Sequence, residues 1–577
     1  MSRKVIIEFD RVGKQYVLGT FGIKFMKLLK PRYGYLIVLA IMLAELELLH
    51  SFSFSTPLYS NVLVYIKHIA FSLLDISSIL LLSSLFLRYS NRALVVIHIL
   101  FSILVLSNIW YVRFFDTYIP FDMYYGGASN MTEFLDSILP VLHFSDIFFI
   151  FSNVVVIYLL WNKRSNISRF STCCFSISLI FVSIFAIQRY ISTKKNVFRQ
   201  IIAETNISFS GGLYNYGFIV SYIGDLYFSN SGFNVIYSTK EIQYLSKYIN
   251  TDNFIVNKET PQNLILIIVE SLSSYPLNKS FAEMEITPNI NRLIKNASFF
   301  SDKMIDQTKY GISSDGQLIY MTGLIPFPND ATIFKCKNNT FKTLANLLVG
   351  YNTKATIPTR EDCWCQKDAN KSYGINSVIS IENSQLIKDN CNDKSVFEET
   401  IHSDIETKKP FFSMVLTIST HLPYNEKKTD KNFKFPKYFS KELRNYLTNV
   451  NYLDSQLGDY IENLKKNQLY DNSIIVILGD HLPPNGSLKM PKNNPCTHLP
   501  FIVLNAESQL PPIKEFIYQD CVFPTLLDLM SVKSKYRGVG QSLLMPDSIR
   551  QSSYELKRAE LKQDISSMIL STDYFNK

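Results

Sequence analysis

Three short apolar runs in the second half of the chain each end on residues able to hold a metal ion. Asn263–Val269 ends at Glu270, Phe411–Ile418 stops just before His421, and Ser473–Leu478 ends in Gly479-Asp480-His481. Unbroken apolar runs of this length read as strands buried on both faces. Open α/β sheets gather their ligand sites at carboxyl-terminal strand ends. A single acid there is usually a helix cap or a solvated loop residue. Three ends delivering carboxylate and imidazole together predict a divalent metal site, and O/N donors without thiolate suit zinc or manganese and disfavour a structural zinc cage.

Such a metal needs a nucleophile beside it. Lys309-Tyr-Gly-Ile-Ser-Ser-Asp-Gly-Gln317 leads into the apolar stretch Leu318–Leu324, which places Ser313 at the head of a helix. A hydroxyl there meets the positive end of the helix, where phosphate is also favoured. Metal coordination lowers an alkoxide's pKa and makes serine a competent nucleophile. Ser313 or Ser314 could equally serve as a plain N-cap.

These elements belong to the polar part of a chain that divides in two. At 577 residues it exceeds a single ordinary core, and 47% hydrophobic with 19% charged residues fits a membrane part joined to a soluble part. Five apolar stretches fall at about 33–52, 69–87, 93–110, 147–161 and 172–187. Each is near the length of a membrane crossing, with the last two short. The net charge of +9 is concentrated: residues 1–32 hold eight Lys/Arg against Glu8 and Asp10. That basic lead is an orientation signal rather than a nucleic-acid surface. Arg88 and Arg92, then Lys163, Arg164 and Arg169, flank alternate loops, whereas residues 53–66 and 116–146 carry no Lys or Arg. Positive-inside alternation then puts everything after about residue 190 outside the cytoplasm.

That topology makes disulfides the expectation for most of Cys336, Cys363, Cys365, Cys391, Cys496 and Cys521. Glu45, Glu47 and His50 read as the wet outer end of the first helix, with Asp75 and His98 as further intramembrane polar groups. The divisions expected are a five-helix transmembrane domain over 1–192, a membrane-surface connector over 193–258, a catalytic α/β domain with a mostly parallel central sheet over 259–550, and a tail over 551–577.

At the strand-end and nucleophile motifs the chain resembles the alkaline phosphatase/sulfatase superfamily, in particular its membrane-bound branch typified by lipoteichoic acid synthase. Val269-Glu270-Ser271-Leu272 is similar to the family's first strand end, and Gly479-Asp480-His481 to its metal motif. Gly311-Ile312-Ser313-Ser314-Asp315 is similar to the nucleophile segment, with Ser for the usual Thr. Thr287-Pro288-Asn289-Ile290 looks like the start of its first catalytic helix, and Ser419-Thr-His-Leu-Pro423 like the segment whose His meets the substrate phosphate. The resemblance implies an alkaline phosphatase/sulfatase-like fold and a metal held by Glu270, Ser313, Asp480 and His481. One ion per site is implied, with a second as the alternative. It also implies Ser313 as the catalytic nucleophile and His421 at the substrate phosphate. For the headgroup, Trp364 fits the family's Trp, but Gln366 stands where an Arg is usual, and Arg360 lies upstream. His498, in Cys496-Thr-His-Leu-Pro500, either reaches the substrate or merely leads into the strand Phe501–Leu504.

The implied activity is a membrane-bound transferase of the cell membrane. It moves phosphoglycerol from a phospholipid donor to an envelope glycan or polymer through a covalent Ser intermediate. Phosphoethanolamine transfer and phosphodiester hydrolysis are the alternatives within the superfamily. No Cys/Ser-x-Pro-x-Arg motif surrounds Ser313, which argues against a formylglycine sulfatase.

Overall fold

The computed structural model describes residues 31–53, 62–86, 91–115, 118–119, 142–161, 168–193, 197, 201, 209–231, 237–246, 249, 262–327, 331–361, 363–381, 392–407, 410–424, 433–484, 487–491, 496–507, 516–545 and 555–576. The chain separates into two compact units. One is made from residues 1–109, 143–197 and 214–219, and the other from 110–142, 198–213 and 220–577.

The first part of the chain is helical: α1 (Pro31–Ser53), α2 (Val62–Phe86), α3 (Asn91–Phe115), α4 (Ile147–Leu160), α5 (Ser168–Thr193), α6 (Phe209–Ser231) and α7 (Thr239–Ser246). Among the described residues, two segments are long and apolar enough to cross a membrane, Arg92–Arg113 and Thr172–Ile191, while Phe144–Leu160 is apolar but shorter. The expectation of a wet outer end holding Glu45 is not met. Glu45 is fully buried and accepts hydrogen bonds from Ser102 at 2.8 Å and Ser152 at 2.5 Å. Neither serine is a neighbour in sequence, which is why apolar flanks alone could not show that Glu45 has partners inside the bundle. Glu47 instead meets His68 at 2.9 Å. The side chain of His50 lies outside the described residues.

The second unit is built on an eight-stranded sheet. Its strands are β1 (Asn263–Val269), β4 (Phe299–Ile305), β5 (Asn352–Ile357), β6 (Ser377–Ser380), β7 (Phe411–Leu416), β8 (Ser473–Gly479), β9 (Leu499–Leu504) and β10 (Ile517–Tyr518). A separate two-stranded ribbon pairs β2 (Ser280–Phe281) with β3 (Met284–Glu285). The order across the sheet is β10-β4-β9-β8-β1-β7-β5-β6. From β8 to β6 every neighbouring pair is parallel, and β9 runs antiparallel to both β8 and β4.

Every residue of β1 is buried because both sheet faces are covered. Leu264, Leu266 and Ile268 pack into one core, while Ile265, Ile267 and Val269 pack into the other, as a two-residue period requires. The first core is closed by α9 (Ser313–Thr322) and α12 (Val522–Leu529). The second is closed by α8 (Pro288–Lys295), α10 (Asp393–Glu406) and α11 (Lys441–Lys466).

Residues beyond 550, read above as a tail, differ in the structure. Glu555–Thr572 form a helix, α13, whose Met568, Ile569 and Leu570 are buried in the first core. Its Ser566 hydroxyl accepts from the Ile325 amide at 2.9 Å. The many polar residues interleaved in this segment hide its apolar contacts from a reading of pattern alone.

The disulfide expectation also fails. Cys336, Cys496 and Cys521 carry free thiols, so at most one pair remains available to the other three. Cys391 lies outside the described residues. Cys336 is buried against α13, with its sulfur 3.7 Å from the Leu570 carbonyl. It serves there as a small core residue.

Candidate active site

The register of the sheet assembles the site. Val269 of β1 lies opposite Gly479 of β8, so the next residues, Glu270 and Asp480, leave the sheet side by side. Ile268 likewise faces Leu416 of β7, which brings the segment through Thr417 and Thr420 to the same edge. Thr417 Oγ1 accepts the Glu270 amide at 3.0 Å, and the Thr420 hydroxyl donates to the Glu270 carbonyl. The Ser271 amide donates to Asp480 Oδ1 at 2.8 Å, and the Ser271 hydroxyl to Glu270 Oε1 at 2.7 Å. The Asp480 carboxylate is therefore held from the neighbouring strand end and the Glu270 carboxylate by the residue after it, while Thr417 and Thr420 fix the Glu270 backbone.

Glu270, Asp480 and His481 are all buried, and each offers one ligand atom within 4.8 Å of the others. His481 Nδ1 lies 2.6 Å from the Leu482 carbonyl, which can only accept. That contact puts a proton on Nδ1 and aims Nε2 into the cluster, the arrangement in which histidine ligates metals. Nε2 stands 3.3 Å from Glu270 Oε1 and 3.5 Å from Asp480 Oδ2.

The electrostatics match the donor set. Burial and then the Glu270 charge push the Asp480 carboxyl well above its usual range. Burial also works against ionised Glu270, but the facing His481 outweighs it and holds that carboxyl well below the usual range. Burial pulls His481 down, yet Asp480 and Glu270 overcome it and push the imidazole up to about 10. Two carboxylates brought together out of water demand a compensating cation. The donors present fit a divalent ion of the zinc or manganese kind.

The nucleophile candidate completes this group. The structure starts α9 at Ser313, after Ile312 at a φ of 45° and ψ of −109°. A branched side chain at positive φ is strained, a state held by surrounding contacts. The Ser313 hydroxyl lies 3.0 Å from Glu270 Oε2 and 3.1 Å from His481 Nε2. Ser314 is turned the other way, donating to the Gly311 carbonyl at 2.7 Å. The amides of Ser314, Asp315 and Gly316 are bonded to the Gly311 and Ile312 carbonyls. The helix start thus offers an anion its dipole and little of an amide cradle.

Close packing sets the helix on the strand. A Cβ added at Gly316 would fall 2.6 Å from the Asp480 carbonyl oxygen. That carbonyl accepts from Gln519 Nε2 at 2.7 Å, and the same amide nitrogen lies 2.8 Å from the Tyr320 hydroxyl. Tyr320 in turn donates to the Gly479 carbonyl at 2.6 Å. Asp306 accepts the Leu482 amide at 2.7 Å, just beyond His481. Sequence reasoning missed Gln519, Tyr320, Asp306 and Thr417. The partners named here lie 39 to 199 residues away, so no local pattern marks them.

The remaining candidates follow strand ends less directly. His421 is exposed on the segment after β7, with Nδ1 2.5 Å from the Leu422 carbonyl. Its charge acts on Glu270. Arg360 and Trp364 follow β5, whose carboxyl end shares the edge of β7 and β1. Trp364 packs on Phe334 with ring centroids 5.4 Å apart. Gln366 is buried in a helix start beside Asn370, which turns it toward local structure. The His498 ring stacks on Phe516, which precedes β10, at 5.0 Å and meets Thr497 at 2.9 Å.

Fold and site define the class. Residues 262–532 match the sulfatase family, and residues 21–223 match the lipoteichoic acid synthase N-terminal domain. The chain thus carries a sulfatase-family domain together with a lipoteichoic acid synthase N-terminal domain. It is 23% identical to lipoteichoic acid synthase 2 of Bacillus subtilis over 74% of this chain and 70% of that protein. Against lipoteichoic acid synthase of Staphylococcus saprophyticus it is 27% identical over 50% of this chain, and it spans only 48% of that relative. Among solved structures, the lipoteichoic acid synthase LtaP from Listeria monocytogenes aligns at a TM-score of 0.48 and 18% identity, over 58% of this chain and 98% of that one. The Streptococcus pyogenes phosphoglycerol transferase GacH, in complex with sn-glycerol-1-phosphate, aligns at a TM-score of 0.42 and 17% identity, over 57% and 92%.

Proposed function

We propose that this protein is a phosphoglycerol transferase that takes the headgroup of a membrane phospholipid and passes it to an envelope glycan or polymer. The observation that carries the reading is the Ser313 hydroxyl, held 3.0 Å from Glu270 and 3.1 Å from His481 at a helix start. The sequence relationship to lipoteichoic acid synthases supports the choice of chemistry.

In this reading Glu270, Asp480, His481 and Ser313 hold one divalent ion. When bound, it lowers the pKa of the Ser313 hydroxyl and offsets charge on the phosphoryl oxygens. The Ser313 oxygen attacks the lipid phosphorus, and the bond from phosphorus to the diacylglycerol oxygen breaks. His421, exposed and with Nε2 free of the Leu422 contact, binds the phosphate or passes a proton to the departing alkoxide. The acceptor hydroxyl then attacks the phosphorus, its proton passes to His421, which the departing alkoxide has left deprotonated, and the bond from phosphorus to the Ser313 oxygen breaks. Trp364 and Arg360 line the headgroup side.

The proposed setting is a cell membrane crossed by α1 to α5, with the α/β domain outside the cytoplasm. Alternating basic loops and the two long apolar segments support it. The test is reconstitution of the full chain in vesicles. Diacylglycerol should appear with phosphatidylglycerol as donor. Release from phosphatidylethanolamine alone would replace the named headgroup, and release from neither would end the proposal.

A further inference from the structure

One carboxylate bonds both the segment that carries Ser313 and the segment that carries His481. Asp306 follows β4 and opens the loop that runs to Ser313 at the start of α9. Its Oδ2 accepts the Leu482 amide at 2.7 Å, across 176 residues of sequence. Its Oδ1 accepts the Thr308 amide at 2.8 Å and the Thr308 hydroxyl at 2.6 Å. One oxygen thus holds the peptide between His481 and Leu482, while the other folds the first turn of the Ser313 loop.

The hold on Leu482 bears on the imidazole. His481 Nδ1 is directed by the Leu482 carbonyl at 2.6 Å, so the aim of Nε2 depends on where Leu482 lies. Groups that orient a ligating histidine from behind are worth about 10–100-fold in metal affinity. Amide bonds to a carboxylate are stronger than those to a neutral acceptor, so this anchor is a firm one. Burial pulls His481 down, and the Asp306 charge joins those of Asp480 and Glu270 in pushing it back up.

The hold on Thr308 bears on the hydroxyl. Further along the loop, Asp315 Oδ2 accepts the Lys309 amide at 3.0 Å and the Gly311 amide at 2.9 Å. Gln307 donates its own amide to Gln519 Oε1 at 2.6 Å. The amides of Gln307, Thr308, Lys309 and Gly311 are therefore all committed ahead of the strained Ile312. A shift at Asp306 has little slack to absorb it before Ser313. Misplacing a reacting group by about 1 Å costs on the order of 100-fold in rate.

We propose that Asp306 is a positioning residue that sets His481 and Ser313 in register, so that metal affinity and nucleophile placement depend on the same carboxylate. The inference rests on the reading of Glu270, Asp480, His481 and Ser313 as the metal site of a headgroup transferase, and Asp306 lies outside that set.

The test reads metal affinity and turnover separately. Full-length protein in nanodiscs is stripped of metal and titrated with zinc by calorimetry, the site being defined by the binding that Asp480→Asn removes. Diacylglycerol release from phosphatidylglycerol is then followed at saturating zinc. Asp306→Ala should weaken zinc binding about 10–100-fold. At saturating zinc it should still lower kcat at least about tenfold, with lipid KM changed less. Asp306→Asn, which keeps one acceptor oxygen for two segments, should fall between Asp306→Ala and the wild type in both readouts. Zinc affinity and kcat equal to the wild type, with or without a loss of thermal stability, overturn the proposal. So does a loss in one readout alone when the wild type shows both. If Asp306→Ala does not fold, Asp306→Asn decides by the same criteria. A wild type that binds no zinc overturns the proposal together with the transferase reading. Weaker zinc binding by the Asp306 variants, where even the wild type releases no diacylglycerol, would keep the hold on His481 and remove only the transferase reading.

Discussion

The hydroxyl of Ser313 lies 3.1 Å from Nε2 of His481, across 168 residues of sequence. The first prediction follows from that contact and from the opposite orientation of Ser314. Ser313→Ala should lower transfer by at least about 10³-fold, as expected for loss of a nucleophile. Ser314→Ala removes only a hydroxyl bonded to the Gly311 carbonyl and should retain measurable activity. Ser313→Thr keeps the hydroxyl and should retain part of the rate. Steady-state headgroup transfer on the three variants checks the order, and a dead Ser314→Ala beside an active Ser313→Ala would reverse it.

A second prediction concerns the metal and needs no turnover. Added zinc or manganese should raise the thermal midpoint of the wild type, since a ligand at about 100 times its Kd stabilises by about 2.7 kcal/mol. Asp480→Asn or Glu270→Gln should abolish that increase. Without metal, Asp480→Asn should be about as stable as the wild type, because burial and the Glu270 charge already push that carboxyl toward its neutral form, whereas Glu270→Gln should lose stability by taking the facing charge from His481. Calorimetry with and without chelator reads both effects. A metal-dependent increase that survives in both variants would place the ion elsewhere.

How much of this was legible in sequence depends on how far each partner lies along the chain. The strand ends at Glu270 and Asp480 were visible because a buried parallel strand is an unbroken apolar run that stops at a polar residue. Ser313 was visible as a helix start, but sequence spacing could not separate it from Ser314. Register with the nucleophile segment of the resembled family chose Ser313, and in the structure the strained backbone at Ile312 aims that hydroxyl at Glu270 and leaves the Ser314 hydroxyl on Gly311. The supports of Asp480 and the burial of Glu45 depend on contacts among distant segments. The disulfide expectation misled because it inferred pairing from compartment, whereas Cys336 is placed by packing against Leu570.

Gln519 provides a third prediction. Its side-chain amide serves the Asp480 carbonyl, the Tyr320 hydroxyl and, through Oε1, the Gln307 amide at 2.6 Å. Gln519→Leu leaves buried polar groups without partners, at about 1–3 kcal/mol. Stability should fall by that order in denaturant melts. Turnover should fall more than lipid KM rises, because the change acts on the position of Asp480. An unchanged ratio of kcat to stability would reduce Gln519 to a core residue.

The thiols give a fourth. Burial pushes Cys496 and Cys521 up to about 11, and Cys336 higher still. Thiolate fractions at neutral pH are then small, so all three should react slowly with iodoacetamide in the folded protein. They should react fully after denaturation without reductant. Peptide mapping that finds any of them in a disulfide would contradict the structure.

The account's central claim is that Ser313 carries the headgroup between donor and acceptor. The most direct measurement is mass spectrometry of the Ser313 peptide after the metal-loaded, full-length protein is quenched with phosphatidylglycerol and without acceptor. The predicted result is a phosphoglycerol unit esterified to Ser313, absent from Ser313→Ala and lost when acceptor is added. An unmodified Ser313 in a protein that is releasing diacylglycerol, or the same adduct on Ser314, would contradict it.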